Sequence, residues 1–302
     1  MSEKWLLIRF RAIGDVLMTQ WPTTAIHRAR PDAELWLASE SGFAAGVNRS
    51  MVPHLVEVPR GRWKKHRWSP QTWSEQVRFY TALRKEKFDY GVDFQGHSKT
   101  ALLLRLSGAK HRVQMPGTDA LAQRLNPIVR SSRPHKVEQY MDLLAPWGEF
   151  VCPERPLMEP VTTPRDGLFV TINTGASSAE KQIPDWQFQQ ICASLQTASI
   201  PIAWVGGPGD PPPPGPGENL VGKTSLAECY AWIAASALHI SADTSTGHAA
   251  AAYGTPFLTL FQTDRNSPDR FRPYSDRGTV LLRPTEAELE KSLNERLAKI
   301  AL

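Results

Sequence analysis

Short apolar runs alternate along this chain with longer segments in which apolar and polar residues are mixed. In the first half the apolar runs lie at 5–10, 34–38, 54–58, 89–94 and 111–115, and we predict a strand for each. The mixed segments predict helices at 16–30, 70–87, 98–107 and 135–146, with Pro22 expected to kink or restart the first. Continuous apolar runs are typical of strands buried on both faces of a parallel sheet.

The same alternation begins again after a linker marked by Pro153, Pro156, Pro160 and Pro164. Strands are predicted at 168–173, 201–206, 238–241 and 257–261, and helices at 185–198, 225–236, 246–253 and 285–301. Two series of βα units predict an α/β protein with two Rossmann-like, doubly wound domains facing across a cleft. We assign them to residues 1–155 and 165–283, with a C-terminal helix at 284–302 that packs at the domain junction.

Composition and charge narrow the classes of function. The 302 residues suit two domains, and no apolar run approaches the ~20 residues that cross a bilayer. Without a signal-peptide pattern, and with only three cysteines, the chain is expected in the cytoplasm and without a metal cluster. Residues 1–155 hold 24 Lys and Arg against 15 Asp and Glu (+9), whereas residues 156–302 hold 11 against 15 (−4). The basic half is expected to meet nucleic acid, a membrane surface or a phosphorylated substrate.

The first candidate site follows the first strand, in the segment Arg11-Ala12-Ile13-Gly14-Asp15. Gly14 permits a tight turn, and Asp15 stands where the next helix begins. A carboxylate there either caps the helix or serves as a general base that takes a proton from an acceptor hydroxyl.

Two segments of the second half are candidate anion sites. Residues 173–181 follow a strand and contain Thr174, Ser177 and Lys181, which suits either a phosphate-binding loop or an ordinary Ser-rich turn. Residues 238–261 run from strand to polar turn to Ala-rich helix to strand. Such a turn holds an anion at a helix N-terminus, and its polar residues are Asp243, Thr244, Ser245 and His248. The histidine is equally compatible with a structural role.

A basic segment at 60–68 combines five Lys or Arg residues with Trp63 and Trp68, and Trp73 follows closely. This mixture suits an anionic lipid headgroup or single-stranded nucleic acid, or else forms a solvated loop. Lys99 is one of several cations that extend the patch. Residues 217–224 match the spacing of a triphosphate-binding loop, but the Pro-rich stretch before them cannot be a central strand, so we reject that interpretation.

Together these segments resemble the ADP-heptose:lipopolysaccharide heptosyltransferases of glycosyltransferase family 9, which have the GT-B fold. The resemblance begins with the opening strand and Gly-Asp turn at 5–19 and includes the segment that starts at His135. Arg62-Trp63-Lys64-Lys65 and residues 93–101 are similar to the heptosyltransferase I subgroup in particular. The segments at 173–184 and 243–248 resemble the donor loops of the family.

The resemblance implies an inverting, metal-independent transfer of heptose from ADP-heptose to a Kdo–lipid A acceptor in lipopolysaccharide core synthesis, with no cofactor. Asp15 would be the catalytic base. The donor would be held by Thr174, Ser177, Lys181, Asp243, Thr244, Ser245 and His248, and the acceptor by Arg62, Lys64, Lys65, Lys99 and His135. The enzyme would be cytoplasmic and peripheral on the inner membrane, and would bind no nucleic acid.

The chain departs from the family pattern at several places. Ser245 stands where the donor turn usually has Gly, and Gln182-Ile183-Pro184 replaces the usual Arg/His-Trp-Pro. A proline run follows the Gly-Gly turn in place of acidic residues. A different nucleotide sugar or a protein acceptor is therefore the alternative within this class. A nucleic-acid-binding protein or an inactive relative are the alternatives outside it.

Overall fold

The computed structural model describes residues 2–265 and 267–300. The chain forms two compact units that divide at the Glu159–Pro160 bond, within the Pro-rich segment. No helix in the described ranges is both long enough and apolar enough to cross a membrane.

The first unit contains a parallel sheet of five strands: β1 Lys4–Ile8, β2 Glu34–Glu40, β3 His54–Val58, β4 Tyr90–Asp93 and β5 His111–Gln114. Their order is β3-β2-β1-β4-β5, with Ile8 level with Asp93 across the β1–β4 pair. The helices are α1 Ile13–Met18, α2 Gln20–Ala29, α3 Arg60–Lys65, α4 Pro70–Lys85, α5 Ser98–Ser107, α6 Ala122–Leu125 and α7 Lys136–Asp142, followed by a 3-10 turn at Ala145–Trp147. Because β1 and β4 are central, the loops after them lie side by side at the carboxyl edge of the sheet.

The second unit contains a parallel sheet of six strands: β6 Val170–Asn173, β7 Ile202–Val205, β8 Glu218–Asn219, β9 Leu238–Ala242, β10 Phe257–Phe261 and β11 Gly278–Leu282. Their order is β11-β10-β9-β6-β7-β8, again with the first strand of the unit in the centre. The helices are α8 Asp185–Thr197, α9 Leu226–Ala235, α10 Ser245–Tyr253, α11 Pro268–Phe271 and α12 Glu286–Ile300, and a 3-10 turn spans Ala179–Lys181. The two strand orders confirm the predicted pair of doubly wound units.

The two faces of the second unit's sheet differ: one is apolar throughout, and the other mixes apolar with buried polar side chains. Ile172, Ile240 and Leu260 alternate along β6, β9 and β10 into an apolar core with α8 and α12. The alternate positions include the buried polar residues Thr171 and His239, whose side chains share a 2.9 Å hydrogen bond. The leucines of α12 are buried in this core, so α12 packs within the second unit, and a contact at the domain junction stays a prediction.

Most boundaries fall within a few residues of the prediction, and the departures have local causes. The helix predicted at 16–30 begins at Ile13 and is interrupted at Thr19, and Pro22 lies in the first turn of α2, where a missing N–H is tolerated. The helix predicted at 135–146 ends at Asp142, and Pro146 lies in a separate 3-10 turn. The sequence pattern gave no prediction for α3, α6, α11 or β11, all of six residues or fewer.

Candidate functional site

Asp15 is the third residue of α1, directly beyond the carboxyl end of β1. Its Oδ2 accepts a 3.0 Å hydrogen bond from the backbone N–H of Ala12, the residue that caps the helix. Asp15 is therefore not the N-cap residue that the capping interpretation made it, but from the third helical position its side chain still supports the helix start. Capping engages only one carboxylate oxygen, so it does not compete with a role in proton transfer.

Arg9 also contacts the same carboxylate oxygen of Asp15. Its Nη2 lies 2.5 Å from Asp15 Oδ2, and its Nη1 donates a 2.9 Å hydrogen bond to the carbonyl of Phe94. The guanidinium is buried and lies over the ring of Tyr140. Because a guanidinium is planar and donates in fixed directions, these contacts fix the position of the carboxylate. Within the described ranges no protein group hydrogen-bonds Asp15 Oδ1, so that oxygen can accept a proton from a ligand.

Asp93, at the end of β4, is a second carboxylate near Arg9 and is completely buried. Its Oδ1 accepts hydrogen bonds from the backbone N–H groups of Gln95 and Gly96 at 2.8 and 3.2 Å. Burial raises the pKa of Asp93 to about 6, although these N–H groups and the charge of Arg9 oppose the shift. Gln95 joins the two loops, because its Oε1 accepts a 3.0 Å hydrogen bond from the N–H of Phe10.

The predicted acceptor cations of 60–68 lie on α3, which is tied to the Asp15 turn through Glu40. The carboxylate of Glu40 accepts a 3.1 Å hydrogen bond from Arg60 and lies 3.8 Å from Arg11 Nε. Farther along α3, Arg62 pairs with Glu75, whereas Lys64 and Lys65 are exposed. An exposed cationic surface therefore begins beside the candidate base.

The other two predicted acceptor residues differ in access. Lys99 is exposed in the first turn of α5, at the same sheet edge as Asp15. His135 is buried, and its Nδ1 accepts a 3.1 Å hydrogen bond from the N–H of Val137 at the start of α7. The structure thus gives His135 a helix-capping role, and its contact with an acceptor stays a prediction.

In the second unit, the predicted donor loops meet at the carboxyl ends of the neighbouring strands β6 and β9. Lys181 Nζ lies 2.6 Å from Asp243 Oδ2, and both side chains are largely buried. Sixty-two positions separate the two residues, so only the parallel pairing of β6 with β9 brings them together. The Lys181 ammonium therefore lies beside the start of α10, and the Asp243 carboxylate balances its charge.

The N-terminus of α10 offers backbone donors at the same place. Thr244 is the N-cap residue but makes no side-chain capping bond, and its hydroxyl instead lies 2.9 Å from that of Thr246. Ser245 is the first helical residue, and its neighbours Thr246 and Gly247 complete a first turn whose N–H groups face outward along the helix axis. His248, one turn farther along the helix, is buried. Helix direction and Lys181 together favour an anionic ligand.

A third loop, after β7, lies at the same sheet edge as the loops after β6 and β9. It contains a candidate site residue that the sequence analysis missed. Asp210 accepts a 2.7 Å hydrogen bond from the N–H of Gly207, and its carboxylate lies against Gly175, where a methyl group would overlap it. The proline run begins only at the next residue, so the Gly-Gly turn does keep an acidic side chain. The sequence signal that could have identified Asp210 was its position shortly after the Gly-Gly turn that follows a strand.

The remaining donor-loop predictions are placed as follows. Thr174 is buried, and its backbone N–H donates to the carbonyl of Val205. Its own carbonyl accepts a 2.5 Å hydrogen bond from the side chain of Gln182, which the sequence did not single out as a site residue. Ser177 is exposed on the loop. The described residues contain no group of three His, Cys, Asp or Glu side chains able to hold a metal ion.

The rejected motif at 217–224 is an edge structure. It contains the two-residue strand β8, and its Lys223 Nζ donates to the carbonyl of Asn219. The next helix, α9, begins only at Leu226 under a capping box formed by Ser225 and Glu228. This geometry confirms that the segment is not a strand–loop–helix phosphate site.

The chain is similar to known glycosyltransferases over most of its length. The sequence profile of glycosyltransferase family 9 (heptosyltransferase) matches residues 76–301. Lipopolysaccharide heptosyltransferase 1 of Pseudomonas aeruginosa is 24% identical over 280 residues, covering 85% of this chain and 78% of the relative. Its counterpart from Escherichia coli K12 is 25% identical over 289 residues, covering 85% and 86%.

Solved structures agree with the fold. The E. coli heptosyltransferase WaaC with ADP superposes with a TM-score of 0.78 at 22% identity, covering 99% of each chain. A family 9 glycosyl transferase from Veillonella parvula gives a TM-score of 0.79 at 15% identity, covering 98% of this chain and 97% of that one. These likenesses confirm the predicted GT-B fold.

Proposed function

We propose, since the chain belongs to glycosyltransferase family 9, that it transfers a heptose from ADP-heptose to a Kdo–lipid A acceptor in lipopolysaccharide core synthesis. The observation that carries the donor half of the proposal is the Lys181–Asp243 pair beside the N-terminus of α10. Two relatives that cover most of the chain are named lipopolysaccharide heptosyltransferase 1.

Asp15 would activate the acceptor. Its Oδ1 takes the proton of a Kdo hydroxyl while that oxygen attacks the anomeric carbon of the heptose. The new glycosidic bond forms as the bond to the β-phosphate oxygen of ADP breaks, and one displacement inverts the anomeric centre. Arg9 and the N–H of Ala12 hold Oδ2 throughout, so the carboxylate does not need to reorient.

Lys181 and the first turn of α10 would stabilise the diphosphate that leaves. Negative charge grows on the leaving oxygen in the transition state, and donors already in position stabilise it without reorganisation. Thr244 and Ser245 add hydroxyls at the same place, and Asp210 is suited to accept hydrogen bonds from the donor. The protein supplies these groups from its own side chains, and we propose that the transfer needs no metal ion or cofactor.

The acceptor would be held by cations of the first unit. Arg62, Lys64, Lys65 and Lys99 are exposed, which suits the carboxylates and phosphates of a Kdo–lipid A molecule. We also propose that the enzyme works at the cytoplasmic face of the inner membrane as a peripheral protein, because its acceptor is a lipid.

Calorimetric binding of ADP, with AMP, UDP and GDP as competitors, tests the donor half of the proposal. ADP should bind best, and Lys181→Ala should weaken it on the order of 10- to 100-fold, because the diphosphate loses its ammonium partner. Lys223→Ala is the matched control: it removes an exposed lysine of the same unit, in the rejected motif, and should leave ADP affinity unchanged.

Transfer from ADP-heptose to Kdo–lipid A tests the acceptor half. Asp15→Asn should keep ADP affinity and reduce turnover at least ~100-fold, because the amide cannot take the proton. Preference for UDP or GDP would move the proposal to another nucleotide sugar. Near-normal turnover of Asp15→Asn would refute the assignment of the base.

A further inference from the structure

The helix pair α3–α4 carries the most exposed apolar cluster of the first unit. Trp68 is 77% exposed, Trp73 53% and Val77 65%, whereas Trp63, on the preceding turn, is 9% exposed. Trp73 and Val77 are one helical turn apart on α4, so they share a face. Large apolar side chains clustered at the surface mark an interaction site more often than single exposed ones do.

The same segment also carries exposed cations. Arg67 lies 5.4 Å from the ring of Trp68, and its carbonyl accepts a 2.8 Å hydrogen bond from Trp73 Nε1. Lys64, Lys65, Arg78 and Lys85 are also exposed on the two helices. The acidic Glu75 is engaged by Arg62. The surface therefore combines indole rings and an aliphatic side chain with an excess of positive charge.

We infer that the surface formed by Arg67, Trp68, Trp73, Val77 and Arg78 docks the protein on an anionic phospholipid bilayer. Indole rings favour the interface between headgroups and acyl chains, where an aliphatic side chain also gains by leaving water. Arginine side chains beside them are attracted to anionic headgroups. A single-stranded nucleic acid would use the cations and the indole faces, but it offers nothing to Val77, so the observations favour lipid.

The position of this docking surface matches a lipid-borne acceptor. The helix α3 begins beyond the carboxyl end of β3, and Glu40 connects Arg60 of α3 to Arg11 in the turn that holds Asp15. Docking through α3–α4 would present the base-containing edge of this unit to the membrane. The benefit of membrane docking to the protein rests on the proposed function, but the docking surface itself consists of residues outside the proposed catalytic and substrate-binding groups.

Co-sedimentation of the full-length protein with vesicles tests the docking surface. The protein should bind vesicles of phosphatidylcholine with about 30% phosphatidylglycerol and be released by high salt, and it should bind pure phosphatidylcholine at least ~10-fold more weakly. Trp68→Ser with Val77→Ser should weaken binding to the anionic vesicles at least ~10-fold. Arg67→Gln with Arg78→Gln should do the same and reduce the salt dependence.

Val151→Ser is the matched control. Val151 is 76% exposed in the same unit, next to Phe150, whose ring contacts Trp5 near the opposite, amino end of β1. This change should leave vesicle binding as in the wild type. Trp68 and Val77 make no side-chain hydrogen bond in the described residues, so the double variant should unfold at the wild-type temperature.

Two further measurements distinguish a failure of this inference from a failure of the proposed function. Transfer to a deacylated, water-soluble Kdo–lipid A should be unchanged in Trp68→Ser with Val77→Ser, which would support a docking role alone. Unchanged vesicle binding of that variant would overturn the inference and leave the transferase assignment intact. Loss of soluble transfer, or displacement of vesicles by a short single-stranded oligonucleotide, would also overturn it.

Discussion

At the scale of single residues, two buried charges determine how the candidate base is held. Arg9 connects Asp15 to the backbone of β4, and Asp93 contributes a negative charge near the same guanidinium. Tyr140 of α7 packs against this group, since the Arg9 guanidinium lies over its ring, and the Lys136 ammonium lies over the same ring. In the proposed mechanism Arg9 is a positioning residue, because it contacts the candidate base Asp15 and not the reacting atoms.

Arg9→Gln should lower kcat about 10- to 100-fold and leave KM for ADP-heptose nearly unchanged, because the carboxylate loses its fixed orientation. Arg9→Lys should restore part of the rate, since it keeps the charge but loses the planar fork. Steady-state kinetics with both substrates and ADP calorimetry measure this. A rise in KM for ADP-heptose at constant kcat would argue against positioning.

Asp93 makes a prediction about stability and pH. Its folded pKa of about 6 lies above the ordinary 3.8, so the folded state keeps a proton that the unfolded state has already lost. The contribution of Asp93 to stability is therefore present below pH 4 and is lost as pH rises to 6, by about 3 kcal/mol. Asp93→Asn keeps the acceptor oxygen and cannot ionise, so relative to the wild type it should gain stability over this range.

Urea unfolding at several pH values from about 2.5 to 7 measures the difference, because the range must include both the loss for Asp93 above pH 4 and the loss for Asp89 in acid. Asp89→Asn, directly before the same strand, is a control of opposite sign. The hydrogen bond from Lys110 holds the pKa of Asp89 below its usual range, so its contribution is present above the ordinary pKa and is lost in acid. Parallel curves for Asp93→Asn and the wild type would show that burial does not perturb Asp93.

At the scale of elements, the candidate donor site depends on three loops at one sheet edge. The loops after β6, β7 and β9 meet there because β9, β6 and β7 are consecutive in the sheet. Lys181 joins the first to the third, and the contact of Gly175 with Asp210 joins the first to the second. A strand order with β6 at the edge would separate these groups.

Gly175→Ala should weaken ADP binding on the order of 10-fold, because the added methyl group overlaps the Asp210 carboxylate and displaces it from the N–H of Gly207. Adding Asp210→Ala restores the space, so the double variant should lose less affinity than the sum of the single changes. Gly209→Ala, in the same loop, meets no atom within 4 Å and is the control. Additive losses would mean that Gly175 and Asp210 act independently.

At the scale of the whole molecule, charge and chemistry divide between the two units. The basic first part, +9 over residues 1–155, carries the candidate base, the cations and the docking surface, whereas the second part has a net charge of −4. The positive field of the first part suits an anionic glycolipid. In the proposed function the second part holds an anion through local groups, Lys181 and a helix N-terminus, and these do not require a positive net charge.

The sequence by itself determined the α/β class, most strands and helices, and the loops in which Asp15, Lys181 and Asp243 lie. It did so because strand and helix periodicities are local, and because parallel sheets collect the loops after their strands at one edge. Only the tertiary structure decided that Trp63 is buried and Trp68 exposed, that His135 lies inside, and that Arg9 and Asp210 support the two sites. These outcomes depend on partners that are distant in sequence, such as Phe94 for Arg9 and Gly175 for Asp210, and no local pattern specifies such pairs.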